Sequence, residues 1–458
     1  MNKPKLMIVT DWGNTGFGTV GEELARRFGD AELFDLYYLG WHYNPTNESA
    51  NAFAKEHKFK LLPTQFWNPK DQFGKLSWDT IIQKIRPDIV LSLGDPWMIE
   101  HIANSKFRNS YQWIAYVPID RDVISKPWLK ILKNPDVLVV YSEFGKQVVE
   151  DQMPFRHPVF IKHGVDKSIF RPYYWDYMKN MSIEDRRREM KERILGKGMG
   201  EKFIVGFVGR NQIRKDVPRT MFAFKAFTCK TWIERQQIHI ENPETGDIEH
   251  FEAEHFCPNV QCFRCDLCPA YQEREETKNA ILYLHTTRGG AASPDGQDIP
   301  GIGWSIDEIA LRLNLQGKLW MTPKITTLRG LPRAALAQIY SCFDVHLFLT
   351  HSEGFGLPIA ESIACGVPTF VTNYSSMPEI VAGGGGEAVN VRDFYCYVTW
   401  ENMLANADIG HAADLVNKVF VDKEYRDQLI EGAVKNDYII DWNEVSNQFL
   451  DVIRKMTS

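Results

Sequence analysis

The 458-residue chain contains no uninterrupted apolar run long enough to cross a bilayer. Its opening, Met1-Asn2-Lys3-Pro4-Lys5, leads into a short apolar stretch and lacks the hydrophobic region of a secretory signal. Internal repeats and low-complexity tracts are missing as well. So is a basic excess: 53 Lys and Arg stand against 59 Asp and Glu, a formal net charge of -6. Nucleic-acid binding through bulk charge is thereby excluded, although a local basic patch is not. These absences predict a soluble, cytoplasmic protein with no transmembrane segment. An amphipathic face that docks on a membrane surface stays compatible with them.

What is present is an ordinary globular composition, 44% hydrophobic and 24% charged. The length suits two or three domains. Short apolar runs alternate with helical patterns, which predicts α/β architecture with parallel sheets. Buried strands are expected at Leu6–Thr10, Ile89–Leu93, Trp113–Val117, Val137–Tyr141 and Val159–Ile161, with a first helix at Thr19–Phe28. The pattern breaks near Pro172, and the charged run Glu184–Arg193 reads as a solvated helix face. A second series follows at Phe203–Val208, Ile281–His285, Leu319–Met321, Val345–Thr350 and Thr369–Thr372. Trp442–Met456 has an amphipathic helical pattern. The expected division is a first domain over 1–171, a second over 172–440, and a terminal helix over 441–458.

The most informative stretch is His351-Ser352-Glu353-Gly354-Phe355-Gly356-Leu357-Pro358-Ile359-Ala360-Glu361. It follows an apolar run, and Pro358 suits the first turn of a helix. Glu353 is then expected on a strand-to-helix loop and Glu361 about one turn into the helix. The N–H groups of Gly354, Phe355, Gly356 and Leu357 would point out of the helix start. Such a start favours anions, and the glycines let a diphosphate approach the backbone. Two further loops are expected at carboxyl ends of strands, where ligands of open α/β sheets bind. One is Asp11–Gly21, with Gly16, Phe17 and Gly18; the other is Gly209–Lys215, with Arg210 and Lys215.

The Glu353–Glu361 block resembles the E-x7-E motif of retaining GT-B glycosyltransferases, the glycosyl transferases group 1 family. There the first Glu contacts the donor sugar and the second binds the nucleotide ribose. Arg210 and Lys215 resemble the Arg and Lys that grip the donor diphosphate in that family, and its members carry a glycine loop where Gly16-Phe17-Gly18 lies. His163-Gly164-Val165-Asp166 resembles the family's Asn-Gly-Val-Asp turn between domains. Ser142-Glu143-Phe144-Gly145 resembles a loop of its first domain. The resemblance runs from Met7 to about Val391 and is densest in the second domain. It implies two Rossmann-like domains facing across a cleft, with the last helix crossing back to the first. It also implies sugar transfer from a nucleotide-diphosphate donor, UDP favoured, with retention of configuration and no catalytic metal. The acceptor is open, a glycan or a modified base in DNA. One departure is the place where many relatives have a His near the reactive carbon. Here Asp120 lies there, either as a hydrogen-bonding group of the site or as an N-cap or turn residue. Asp95 is a weaker candidate for the acceptor side.

Two readings from other classes stay open. Gly16-Phe17-Gly18-Thr19-Val20-Gly21 is a literal G-x-G-x-x-G, and Asp35 follows at a plausible distance for a ribose, as in an NAD(P)-dependent oxidoreductase. A non-catalytic binding module is the other.

Cys257, Cys262, Cys265 and Cys268 place four of the eight cysteines within twelve residues. That spacing suits one tetrahedral zinc ion in a structural role, with His255 as a spare ligand and an iron–sulfur cluster as the rival. The cluster falls in an expected insertion over 229–278, too polar to build a core of its own. Cys229, Cys342, Cys365 and Cys396 read as buried and inert.

Overall fold

The computed structural model describes residues 3–13, 15–64, 69–175, 180–230, 237–241, 248–252, 273–288, 303–323, 330–397 and 402–457. The first sheet has seven parallel strands: β1 (Lys5–Thr10), β2 (Asp35–Gly40), β3 (Lys60–Pro63), β4 (Ile89–Leu93), β5 (Gln112–Val117), β6 (Val137–Val140) and β7 (Val159–Phe160). Their order is β3-β2-β1-β4-β5-β6-β7. β1, β4 and β5 are apolar on both faces and buried almost throughout, as a parallel sheet covered on both sides requires. β2 and β3 escape the sequence reading because they approach an edge, where burial alternates or fails and polar residues enter.

The second sheet is also parallel. Its strands are β8 (Phe203–Val208), β11 (Ala280–His285), β12 (Leu319–Met321), β13 (Val345–Phe348), β14 (Thr369–Thr372) and β15 (Gly386–Val389), ordered β12-β11-β8-β13-β14-β15. β9 (Gln237–Glu241) and β10 (Ile248–Glu252) form an antiparallel pair between β8 and β11 in the chain. Cys229 and Glu273 bridge, so the two ends of that excursion meet. A second antiparallel pair, β16 (Val391–Tyr397) and β17 (Asn402–Ala407), was not foreseen. Both main sheets wind outward from their first strand, and the order reverses between β1 and β4 and between β8 and β13. Gly206 on β8 is required by packing: a Cβ there would lie 2.2 Å from the Phe343 ring.

Three local expectations change. The first helix, Gly16–Asp30, begins before Thr19 because Thr15 caps it, its hydroxyl accepting from Gly18 N–H at 2.9 Å. Helix Ile183–Leu195 is more than a solvated face: Lys191 and Arg187 reach Asp344 at 2.6 and 3.0 Å, and Asp344 also accepts from Ile204 N–H. Cys342 and Cys365 are buried as expected, but Cys396 is exposed on β16 and Cys229 only partly covered. Cys257, Cys262, Cys265, Cys268 and His255 lie outside the described residues. No described helix is long and apolar enough to cross a membrane.

The chain crosses between the two sheets twice, side by side: Val165 N–H donates to Ile440 O at 2.9 Å. Helix Trp442–Thr457 then packs on the first sheet's side, with Phe449 edge-on to Tyr116 and the Gln112 amide bonded to Met456 O.

Candidate functional site

Loops at the carboxyl ends of β1, β4 and β5 meet those of β8 and β13. Asp11 attracts Arg210, and Arg214 feels both Asp95 and Asp120. Gly354 comes so close to the first sheet's loops that a Cβ would lie 2.9 Å from Pro118 and 3.0 Å from Tyr141. Gly356 has φ +107, a left-handed conformation that favours glycine, and it precedes helix Leu357–Ala364. Pro358 is in the first turn of that helix and Glu361 in its second. Among the described residues, none accepts from the N–H groups of Gly354, Phe355, Gly356 or Leu357. The loop is held by Ser376, whose hydroxyl donates to Glu353 O and Phe355 O at 2.8 and 2.9 Å.

The two acids of the block have different surroundings. Glu353 pairs with Lys215 through one oxygen and with Arg214 through the other, at 3.1 Å. Burial alone would raise its carboxyl; Arg214 and Lys215 overcome that and hold it below the usual carboxylate range. Burial pushes the Lys215 ammonium down to about 8 against the pull of Glu353. Glu361 accepts from Tyr340 OH at 3.2 Å. Burial pushes its carboxyl up to about 7, although Arg333 and Tyr340 favour the charged form. Arg333 also forms an ion pair with Glu23 on helix Gly16–Asp30, joining the two halves.

In the glycine loop, Asp11 accepts from Trp12 N–H at 2.9 Å and from Thr15 OH at 2.6 Å, and pairs with His42. Gly18 is tightly enclosed, since a Cβ would lie 2.2 Å from Gly13 O. Gly16 and Phe17 form the first turn of the helix that follows. Asp120 caps no helix: the next one, Lys126–Leu132, has Ser125 at its N-cap. Its carboxylate instead accepts from Arg121 Nε at 3.0 Å. Asp35 is at the wrong end for the dinucleotide reading. It pairs in register with Lys5, at the amino end of the sheet, and its carboxylate binds Lys60. The glycine loop begins at the other end of β1, about 17 Å away.

His163 is a buried packing element. Its Nδ1 bonds Tyr116 OH at 2.7 Å, its ring lies 4.1 Å from Tyr141 and 5.1 Å from Phe355, and burial pushes it down to about 3, so it is neutral. The Ser142 segment starts helix Glu143–Gln152, whose first N–H groups donate to Glu379 of the other half at 3.0 and 2.8 Å.

Residues 314–436 match the family model described as Glycosyl transferases group 1. Among curated proteins, D-inositol 3-phosphate glycosyltransferase of Thermobifida fusca is 29% identical over 140 residues, covering 28% of this chain and 31% of that protein. The matches thus span about a third or less of the first curated relatives. Solved structures match over nearly the full length. HepE of Anabaena, in complex with UDP and glucose, has TM-score 0.64 at 13% identity, covering 98% of this chain and 99% of that one. Sucrose-phosphate synthase of Thermosynechococcus elongatus has TM-score 0.64 at 14% identity, covering 100% and 99%.

The fold is GT-B.

Of the residues the sequence singled out in the loops after β1, β8 and β13, the structure brings Lys215 and Glu353 into contact. Sequence reasoning missed Arg214 as a partner of Glu353, and Arg333 and Glu23 altogether. Arg214 lay inside a quoted motif but carried no separate signal. The Arg333–Glu23 pair spans 310 positions and leaves no local trace.

Proposed function

We propose that this chain is a retaining glycosyltransferase that moves a sugar from a nucleoside-diphosphate donor, UDP favoured, to a hydroxyl-bearing acceptor. The observation that carries the reading is the run of N–H groups at the start of helix Leu357–Ala364 that has no acceptor among the described residues, beside the Lys215–Glu353–Arg214 cluster. Negative charge builds on a leaving diphosphate as the glycosidic bond breaks. Fixed cations and helix N–H groups answer that charge without a catalytic metal. Arg210 and Lys215 would grip the diphosphate, Gly354, Phe355, Gly356 and Leu357 would cradle it, and Gly16-Phe17-Gly18 would close over the sugar. Glu353 would contact the donor sugar and Glu361 the ribose. Front-face substitution, with the leaving phosphate as base, accounts for retention. The match of residues 314–436 to the group 1 family and the UDP complex of the HepE neighbour support this choice over the oxidoreductase. The position of Asp35 speaks against the latter.

We also propose one structural zinc ion on Cys257, Cys262, Cys265 and Cys268, away from the transfer chemistry.

The test is a thermal-shift screen of UDP-, GDP- and ADP-sugars together with NAD and NADP, followed by assay of released nucleotide diphosphate. A ligand that binds the folded state raises its melting temperature. Stabilisation by a UDP-sugar with release of UDP supports the reading; stabilisation by NAD alone replaces it.

A further inference from the structure

The loop after β4, Gly94-Asp95-Pro96-Trp97, has no role in the donor site proposed above. Trp97 keeps 38% of its surface exposed. It is braced edge-on at 5.1 Å against Phe73, which is braced in turn against Trp41 at 5.1 Å. The Trp97 side chain supports the charged form of Asp95, while burial and the nearby Asp120 charge push that carboxyl up to about 6. Asp120 is positioned by Arg121, whose guanidinium lies 4.3 Å over the Trp128 ring. Arg214 faces this pair from the second domain. Only one of its terminal nitrogens is used, by Glu353 and by Ser352 O at 3.1 Å. Among the described residues its Nε and other terminal nitrogen donate no hydrogen bond, and 39% of the side chain is exposed.

An exposed indole, two adjacent carboxylates and unspent guanidinium donors form one chemical pattern. A sugar ring offers an apolar C–H face and a fringe of hydroxyls. The face stacks on an aromatic ring, and the hydroxyls donate to carboxylates and accept from a guanidinium. A phosphate-rich acceptor would set its charge against Asp95 and Asp120, a repulsion that discriminates against it.

We propose that this loop is an acceptor subsite for an uncharged sugar, with Trp97 as stacking platform, Asp95 and Asp120 as hydroxyl acceptors and Arg214 as the donor opposite. The word acceptor rests on the glycosyltransferase reading; the sugar site itself does not.

Saturation-transfer NMR on the full chain with methyl α-D-glucoside and methyl α-D-mannoside tests it. Wild type should bind at least one of the two. Trp97→Ala should weaken that binding by about tenfold, Trp97→Phe should restore most of it, and Asp95→Asn should weaken it too. A single-stranded oligodeoxynucleotide should not displace the glycoside. Absence of binding in wild type, equal binding in Trp97→Ala, or displacement by the oligonucleotide overturns the proposal. UDP titration of the same wild-type sample separates the two questions. UDP binding without glycoside binding rejects the subsite and keeps the donor reading. Glycoside binding without UDP binding does the reverse.

Discussion

Lys215 and Glu353 stand 138 positions apart in the chain and bury their charges against each other. The pair joins the loop after β8 to the loop after β13, so the cation proposed to hold a diphosphate is itself held in place by a carboxylate. Its cost is dependence of each charge on the other. Lys215→Ala and Glu353→Ala should each lower the unfolding free energy by about 3–5 kcal/mol, because each strands a buried charge. The double variant should lose less than the sum. Urea unfolding of the four proteins measures this, and strict additivity would show that the charges act independently.

Glu361 makes a pH prediction with a definite sign. Its folded carboxyl titrates at about 7 against an ordinary 4.5. The protonated form is therefore favoured by folding. The contribution to stability is complete below the ordinary value and is lost as pH rises through about 7. Ribose hydroxyls donate to the ionised form, so UDP affinity should rise as pH passes through about 7. Glu361→Ala should weaken UDP binding by about 1.5–3 kcal/mol, and Glu361→Gln should flatten the pH step. Calorimetric titration across that range decides; an unchanged step in Glu361→Gln removes this residue from the ribose.

Brief EDTA treatment should leave sugar transfer largely intact, because Arg210, Lys215 and the N–H groups before helix Leu357–Ala364 meet the diphosphate charge. Loss of activity that Mg²⁺ alone restores would contradict this.

Elemental analysis of purified protein should find one zinc per chain. Cys262→Ser should lower that content, since a three-thiolate site loses much of its affinity. Iron with a visible charge-transfer band would move the site to the iron–sulfur class, and absence of metal in protein prepared without chelator would remove it.

Much of the cleft was legible in the sequence because its parts are local. β1, β4, β8 and β13 are apolar on both faces, and the loops after β1, β8 and β13 carry glycines, cations or acids in recognisable order. Asp35 shows the limit of spacing: it has the right separation from the glycine loop but sits at the opposite end of its strand. The edge strands β3 and β15, and β2 beside β3, were harder, since partial exposure dilutes their pattern. Contacts across the cleft were not legible at all. Arg333 with Glu23, and Glu379 with the N–H groups of Glu143 and Phe144, depend on how the two halves meet, and no window of sequence holds both partners.

The return of helix Trp442–Thr457 to the first sheet has a consequence for biosynthesis. A ribosome emits β1 through β7 long before Phe449, which covers Tyr116, and Met456, whose carbonyl receives Gln112. Gly164 waits for the same event, being packed against Trp442 so closely that a Cβ would lie 2.8 Å from its backbone nitrogen. The amino-terminal half is thus left with an uncovered apolar seam while the other half is still being made. It should need protection during translation, and loss of the final helix should damage the half made first more than the half made last.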